Sequence, residues 1–313
     1  MSQPFISICI PAYKRLTYLK RLLDSIVSQS YTHFEIIISD DSDDDTVYNY
    51  LQSLSNQGQI QYFKNIPSLG TPTNWNAAIS KAKGDWIKLM HDDDWFSSKD
   101  SLQKFADAAL KGPKFIYSAY SNFIETKITY QPIQHKSKQL KAILNEPLLL
   151  LSENIIGPPS VTLFHKSILG KYDERMKWRV DLEYYIRILN QEKEIYYLQD
   201  LLINVGVSES QVTNSCINVP SVEIPEGHIL LEKYGTKPLK NIIVFDAWWR
   251  ILRNCEVRSE KDLTQFGDTQ WPACILNMVR LQSKFSSALL KNGLVSKTLM
   301  TLSYLQNIIQ GKL

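Results

Sequence analysis

The first hundred residues alternate between short apolar runs and segments with helical spacing. Three runs have the character of buried strands: 6–10, where isoleucine alternates with Ser7 and Cys9, the β-branched run 34–39, and 86–90. After the first run, apolar residues recur at helical spacing, at Leu16, Leu19, Leu22, Leu23, Ile26 and Val27. We therefore predict strand, helix, strand, helix, strand, helix, strand. This order is typical of a nucleotide-binding α/β sheet.

Acidic residues follow two of these predicted strands directly. Asp92, Asp93 and Asp94 come after the run 86–90, and a second group, 40–45, begins where the run 34–39 ends. Several like charges at one strand end are unfavourable unless a cation lies between them. Ligands of open α/β sheets bind beyond the carboxyl ends of the strands. The pattern favours a divalent cation that bridges carboxylate and diphosphate, and the alternative is a solvated acidic turn that caps the next helix.

Five segments, in this order, resemble motifs of the family 2 glycosyltransferases, the inverting enzymes of the GT-A fold. They are residues 7–15, 35–42, 76–87, 91–95 and 180–187, so the resemblance covers roughly residues 5–190. It implies an α/β fold of GT-A type, with a Rossmann-like, mostly parallel sheet flanked by helices. Pro220 and Pro225 mark a break near 214–227. We expect a catalytic domain at 1–215, with a nucleotide-sugar half (1–100) and an acceptor half (101–215), and a helical C-terminal region at 216–313.

The resemblance also implies a donor site. Asp93, with Asp94, is expected to bind Mn²⁺ or Mg²⁺, although Asp94 has a helix-capping or supporting role as its alternative. Asp92 is expected to contact ribose or sugar hydroxyls, and Asp40 to accept the uracil N3–H. The other expected nucleotide-sugar contacts are Pro11, Ala12, Tyr13, Arg15 and Asn76.

Three positions depart from the family pattern. His91 stands where many relatives have the first acid of the metal motif, which leaves open which acid binds the metal. Trp75 precedes Asn76 at a position where relatives often have Arg or Lys, so either another basic residue such as Arg15 compensates, or Trp75 packs against the sugar or nucleobase instead. Ser208 stands where many relatives have a metal-binding histidine, in a loop that continues through 209–213.

Asp181 is the residue we expect to be the catalytic base. An inverting transferase needs one general base to deprotonate the acceptor hydroxyl, and the resemblance places Asp181 at the start of the helix that carries it. From spacing alone, Asp181 could equally be the cap of this helix. The resemblance also suggests that Ser160 and Trp178 contact the acceptor, although Trp178 could instead be a core residue.

Composition limits the class of protein. The chain has 313 residues, 44% of them hydrophobic and 21% charged, with a net charge of +3 that is too small to imply nucleic-acid binding. The four cysteines form no CxxC pair, which suggests neither zinc nor a disulfide framework. No apolar run approaches the ~20 residues that cross a bilayer, and the first residues lack the pattern of a signal peptide. We expect a cytoplasmic protein.

The C-terminal segment has a charge pattern of its own. Residues 269–313 contain Arg280, Lys284, Lys291, Lys297 and Lys312 and no acidic residue. A basic amphipathic segment of this kind can lie on the inner face of an anionic membrane. Packing on the catalytic domain, or on a second subunit in a homodimer, is the alternative.

These observations together predict an inverting, metal-dependent glycosyltransferase. We expect it to move a sugar from a UDP-hexose or UDP-N-acetylhexosamine to a hydroxyl of a glycan or lipid-linked acceptor in polysaccharide biosynthesis, such as that of an O-antigen or capsule. The alternatives are a GDP- or dTDP-sugar transferase, a nucleotidyltransferase and a non-catalytic nucleotide-sugar-binding scaffold. A nucleotidyltransferase is disfavoured because residues 13–16 contain no glycine of the phosphate-binding kind.

Overall fold

A computed structural model of the chain describes residues 3–54, 60–208, 212–267 and 270–313. The strands are β1 (Ile6–Ala12), β2 (Phe34–Asp40), β3 (Ile60–Lys64), β4 (Trp86–Leu89), β5 (Trp95–Phe96), β6 (Phe115–Ile124), β7 (Thr129–Ile133), β8 (Thr162–His165) and β9 (Tyr196–Val207). The helices are α1 (Leu16–Val27), α2 (Thr46–Gln52), α3 (Thr73–Ser80), α4 (Ser101–Ala109), α5 (Ser137–Asn145), α6 (Val180–Glu192), α7 (Val212–Cys216), α8 (Pro220–Tyr234), α9 (Ile242–Asn254), α10 (Glu260–Thr264), α11 (Ala273–Gln282), α12 (Ser287–Lys291) and α13 (Gly293–Ile309).

The predicted order of the first hundred residues is confirmed, from β1 to β4 with α1, α2 and α3 between the strands. The strands form one sheet in the order β3-β2-β1-β4-β8-β6-β9-β5, and β7 pairs with β6. The pairs from β3 to β4 are all parallel, whereas β8 runs antiparallel to both β4 and β6. Every residue of β2 and β4 is buried, because both strands lie inside the sheet.

The chain divides into two compact units. The first comprises 1–144, 155–174 and 187–209, and the second comprises 145–154, 175–186 and 210–313. The division near residue 209 lies close to the boundary we expected at 215. However, the second unit also takes in two segments of the expected catalytic domain, and one of these contains Asp181. Segments distant in sequence can belong to one compact unit, since compactness depends on contacts in space.

The first unit is held together by an apolar core and by a buried polar connection. α1 buries Leu19, Leu22, Leu23 and Ile26, which lie on one helical face. At the start of β1, the hydroxyl of Ser7 donates to Glu35 over 2.6 Å and accepts the backbone N–H of Gly84 over 2.8 Å. A Cβ at Gly84 would come within 2.6 Å of the Phe5 carbonyl oxygen, so only glycine fits there.

The second unit is helical and is centred on α9. Trp248 and Trp249 of this helix are almost completely buried, and the Trp249 indole N–H donates to Ser296 Oγ of α13 over 3.0 Å. Gly227 of α8 lies close to the Trp248 ring, where a side chain would crowd it. None of the described helices is both long and apolar enough to cross a membrane.

Candidate functional site

The acidic residues after β4 are buried, not solvated. β4 is a central strand, and the chain stays buried beyond its end: Met90 is completely buried, and Asp92, Asp93 and Asp94 follow with at most 9% of their surface exposed. Burial raises the pKa of Asp92, against the effect of Arg15. Burial also raises the pKa of Asp94, and the negative charge of Asp93 acts on Asp94 in the same direction. Positive charge is therefore needed here if the carboxylates are to be ionised.

His91, Asp93 and Asp94 form a cluster whose candidate ligand atoms lie within 4.8 Å of one another. His91 Nε2 is buried, and within the described residues it has no hydrogen-bond partner. Burial lowers the pKa of His91 to about 4, so the imidazole is neutral and can act as a ligand. One nitrogen and two carboxylates make a suitable donor set for Mn²⁺, and a less typical one for Mg²⁺, which prefers oxygen.

Arg15 supplies positive charge to the same carboxylates. Its guanidinium contacts both oxygens of Asp92 and donates to Asp93 Oδ2 over 2.9 Å. Asp92 also accepts the backbone N–H of Tyr13, which connects the ends of β1 and β4. Residues 14–18 line a cleft of about 470 Å³ beside this ion pair. Arg15 thus lies where it can contact a negatively charged ligand.

Ser160 lies beneath the cluster. It is completely buried, its hydroxyl accepts the backbone N–H of His91 over 2.9 Å, and the same hydroxyl donates to the carboxyl of Asp94. The buried side-chain nitrogen of Lys88 in β4 donates to the Ser160 carbonyl, and burial lowers the pKa of this lysine. This burial argues against the acceptor contact we expected of Ser160 and favours a role in positioning His91 and Asp94.

Asp40 lies at the end of β2, as expected, but it is completely buried and engaged. Asp40 Oδ1 accepts two hydrogen bonds from Ser42, from its backbone N–H over 2.9 Å and from its hydroxyl over 2.6 Å. Asp40 Oδ2 accepts the Tyr62 hydroxyl over 2.8 Å. A uracil N3–H could reach this carboxylate only by displacing one of these donors. Among the other expected base contacts, Ala12 is buried, whereas Tyr13 is 51% exposed.

The side chains of Asn76 and Trp75 in α3 contact other residues of the first unit. The Asn76 side-chain amide pairs with the backbone of Tyr172, donating to its carbonyl and accepting its N–H over 2.9 Å each. The Trp75 ring lies 4.8 Å from the His91 ring and edge-on to Tyr172 at 5.2 Å. These contacts favour a structural role for Asn76, in place of the donor contact we expected.

Asp181, in the second unit, begins the first turn of α6. Its Oδ1 accepts the N–H of Leu182 over 2.8 Å, and its Oδ2 accepts the side-chain amide of Asn154 over 3.2 Å. Burial raises the pKa of the carboxyl from 3.8 to about 6, against these hydrogen bonds and the charge of Arg179. A carboxylate in this range can accept a proton near neutral pH.

Glu226 of α8 holds the segment that leads into α6. Its buried carboxylate accepts the backbone N–H groups of Lys177, Trp178 and Arg179 over 2.6, 2.8 and 2.7 Å. Trp178, which we expected to contact the acceptor, is thereby fixed through its backbone, and its side chain is partly exposed. Ser208 is described, but residues 209–211 of the loop that follows lie outside the described residues.

Sequence reasoning missed several of these residues. His91 was noted only as a departure from the acidic motif, although its position next to three acids was a usable signal for a metal ligand. Glu226, Tyr62 and Lys88 carried no such signal, because each acts on residues far away in the sequence.

Comparison with known proteins gives the site its context. Among related sequences, an uncharacterized glycosyltransferase of Rickettsia typhi is 29% identical over 69% of this chain and 68% of its own length. A putative colanic acid biosynthesis glycosyl transferase of Escherichia coli, WcaA, is 24% identical over 68% of this chain and 77% of its own length.

Solved structures share the fold at low sequence identity. Staphylococcus aureus TarS 1-349 in complex with UDP-GlcNAc superposes with a TM-score of 0.57 at 15% identity, covering 98% of this chain and 92% of that one. The mannosyltransferase PcManGT from Pyrobaculum calidifontis, in complex with GDP-Man and Mn²⁺, gives 0.55 at 13% identity, covering 98% and 88%. The α/β architecture is thus that of the GT-A glycosyltransferases, as predicted.

The sequence model of one family, described as glycosyl transferase family 2, matches residues 7–173, which is more than half of the chain. This match begins in β1 and includes β2, β4 and the acidic residues that follow them. Four of the five motifs lie within this match, whereas the motif at 180–187 lies beyond its end. The predicted family is confirmed, and the chain belongs to glycosyl transferase family 2.

Proposed function

We propose that this protein transfers a sugar, with inversion at the anomeric carbon, from a UDP-hexose or UDP-N-acetylhexosamine to a hydroxyl of a glycan or lipid-linked acceptor in polysaccharide biosynthesis. The observation that carries the proposal is the buried cluster of His91, Asp93 and Asp94, with Arg15 beside it. The likeness to WcaA supports a role in polysaccharide synthesis, and the likeness to TarS bound to UDP-GlcNAc supports a UDP-sugar.

The donor diphosphate is the group that this cluster would serve. His91, Asp93 and Asp94 would hold Mn²⁺ or Mg²⁺, which supplies positive charge for the leaving nucleoside diphosphate. Arg15 adds a second cation: its ion pair with Asp92 and Asp93 leaves the side chain 34% exposed. A guanidinium in this position can exchange part of its carboxylate contact for a phosphate oxygen.

Asp181 would act as the general base that takes the proton of the acceptor hydroxyl. A pKa of about 6 suits this role, because the carboxyl is mostly ionised at neutral pH yet binds a proton far more readily than an exposed aspartate. Asn154 and the N–H of Leu182 orient the carboxylate. A single base is sufficient for a direct displacement with inversion, since no covalent intermediate is formed.

Nucleobase recognition would use the ends of β1 and β2. Tyr13 offers an exposed ring for stacking. Asp40 would accept the uracil N3–H in exchange for the Tyr62 hydroxyl. A GDP-sugar is the second candidate donor, because PcManGT, which has a similar fold, was solved with GDP-Man.

Thermal unfolding with UDP, GDP and dTDP, each with and without Mn²⁺, tests the donor class and the metal together. We expect UDP with Mn²⁺ to stabilise the wild type, by about 2.7 kcal/mol at a hundredfold excess over Kd. Asp93→Asn should abolish this effect, whereas Asp100→Asn, an exposed acid at the start of α4, should retain it. A preference for GDP would replace the donor, and no response to any nucleotide would refute the proposal. The anomeric configuration of the product, read by NMR, tests inversion.

A further inference from the structure

The C-terminal helix α13 presents its apolar side to solvent. Leu294, Leu302, Leu305, Ile308 and Ile309 are between 48% and 85% exposed. At about 100° per residue, these five positions lie within an arc of about 120°. We call this set of five residues the α13 strip. From Leu294 to Ile309 it extends for about 22 Å along the helix.

The opposite side of α13, which packs against the other helices of the second unit, carries several polar residues. Ser296, Ser303 and Asn307 are at most 2% exposed, beside Leu299 and Met300. Asn307 accepts the side-chain amide of Asn277 in α11 over 2.9 Å, and Ser296 accepts the Trp249 indole N–H. The helix therefore hydrogen-bonds inward and leaves much of its apolar surface uncovered. A surface helix of a monomeric protein normally has the reverse arrangement.

The beginning of α9 extends this apolar surface. The Tyr304 hydroxyl donates to the Lys240 carbonyl over 2.6 Å, and the Tyr304 ring packs edge-on against Phe245. Ile242 and Ile243, next to Lys240 in the chain, are 40% and 48% exposed. The α13 strip thus has further exposed apolar side chains beside it.

The charges around the strip are positive. Lys297 lies at one edge of the arc, and Lys240 precedes the exposed isoleucines; both are exposed, and neither forms an ion pair within the described part of the chain. Residues 269–313 contain no carboxylate side chain. In a two-fold contact the strip would meet its own copy, so its lysines would find no counter-charge there. An anionic lipid surface offers both an apolar layer and the opposite charge.

We propose that the α13 strip, with Lys240 and Lys297, is the site at which this protein binds peripherally to an anionic membrane surface. The apolar side chains enter the boundary between headgroups and acyl chains, and the lysines contact lipid phosphates. This proposal goes beyond the transferase activity and does not depend on it.

Flotation of the full chain with lipid vesicles tests the proposal without nucleotide or acceptor. We expect binding to phosphatidylcholine vesicles that contain phosphatidylglycerol, weaker binding to phosphatidylcholine alone, and weaker binding at high salt. Leu302→Ser combined with Leu305→Ser should lower the partition coefficient about tenfold or more. Val27→Ser, which changes a side chain that is 71% exposed on α1, should leave it unchanged. Each variant is first checked for an unchanged Tm.

A second double variant tests the contribution of positive charge to vesicle binding and leaves the apolar side chains of the strip in place. Lys240→Gln combined with Lys297→Gln should reduce binding to anionic vesicles by about tenfold and leave the weak binding to neutral vesicles unchanged. The proposal is overturned if the wild type does not float with anionic vesicles, if neutral vesicles bind equally well, or if both double variants bind like the wild type. Light scattering supplies the remaining outcome: a dimer that the leucine variants convert to a monomer, without vesicle binding, would assign the strip to a second copy of the chain.

Discussion

The proposed base, Asp181, should lower the free energy of unfolding at neutral and alkaline pH, compared with an uncharged side chain at the same position. Its partly buried carboxyl has a pKa of about 6 where 3.8 is ordinary, so the ionised form is disfavoured in the folded chain relative to the unfolded one. At pH 8 this difference costs about 3 kcal/mol of folding free energy, taking 1.36 kcal/mol per pKa unit. Because the folded pKa is raised, the cost is nearly absent well below the ordinary value of 3.8, grows as the pH rises from about 4 to about 6, and is complete above pH 6.

Asp181→Asn removes the charge and nearly keeps the shape. Asn154 donates its amide to Asp181 Oδ2, so the new amide group would face another donor, at a cost of about 1 kcal/mol. The net expectation at pH 8 is a gain of about 2 kcal/mol, or roughly 4 to 8 °C in Tm. At pH 4 the gain should be lost and turn into a slight destabilisation, because the folded wild-type carboxyl is then protonated and only about 0.5 kcal/mol of its cost remains, while the mismatched amide still costs about 1 kcal/mol. Activity should fall by about 10²–10⁴, since the base is lost.

The measurement is Tm by circular dichroism at pH 4 and pH 8 together with kcat for sugar transfer. Asp262→Asn is the matched control in the second unit. Although burial works against ionisation there, hydrogen bonds from the N–H groups of Arg258 and Ser259 lower the pKa of Asp262. The same substitution should therefore lower Tm at pH 8 and leave kcat unchanged. If Asp181→Asn also lowers Tm at pH 8, the burial argument is wrong, and if it retains kcat, Asp181 is not the base.

Further predictions concern residues near Asp181, in the cluster of His91, Asp93 and Asp94, and near Asp40. Glu226→Gln should lower kcat while KM for the donor stays constant, because one acceptor oxygen cannot hold three N–H groups and the base loses its orientation; steady-state kinetics checks this. His91→Asp should shift the metal preference from Mn²⁺ towards Mg²⁺, measured by calorimetry with UDP, since a carboxylate suits Mg²⁺ better than an imidazole does. Asp40→Asn should weaken UDP binding about tenfold, whereas Tyr62→Phe, which removes a competing donor, should leave UDP binding equal or tighter. If Asp40→Asn leaves the Kd for UDP unchanged, the proposed contact between Asp40 and uracil is wrong.

The parts of the fold that were predictable follow from local pattern. Strands β1, β2 and β4 were predicted as the runs 6–10, 34–39 and 86–90, because β-branched or alternating apolar residues favour extended backbone in a buried sheet. The short strand β5 and the strand β8 were not, since two to four residues carry little periodicity. Their place in the sheet depends on pairing with β9 and with β4 and β6, which are distant in sequence.

The candidate site divides in the same way. Acids directly after a buried strand lie beyond the carboxyl end of that strand, so the position of Asp92–Asp94 in the sheet followed from the sequence alone. Which of them group as candidate ligands did not: the structure brings Asp93 and Asp94 together with His91, and it pairs Asp92 with Arg15, 77 residues earlier. Ser160 and Asn76 were expected to contact ligands, but their side chains are satisfied by groups that only folding brings near.

The sequence by itself determined the fold class, the family and the residue types available for chemistry, because strand and helix periods and strand-end acids are properties of adjacent residues. Tertiary structure decided which atoms are buried and what they contact. Burial sets the pKa of Asp181 and leaves His91 Nε2 without a partner among the described residues, and packing turns the apolar side of α13 towards solvent. Desolvation and hydrogen bonding depend on every neighbour in space, and those neighbours come from the whole length of the chain.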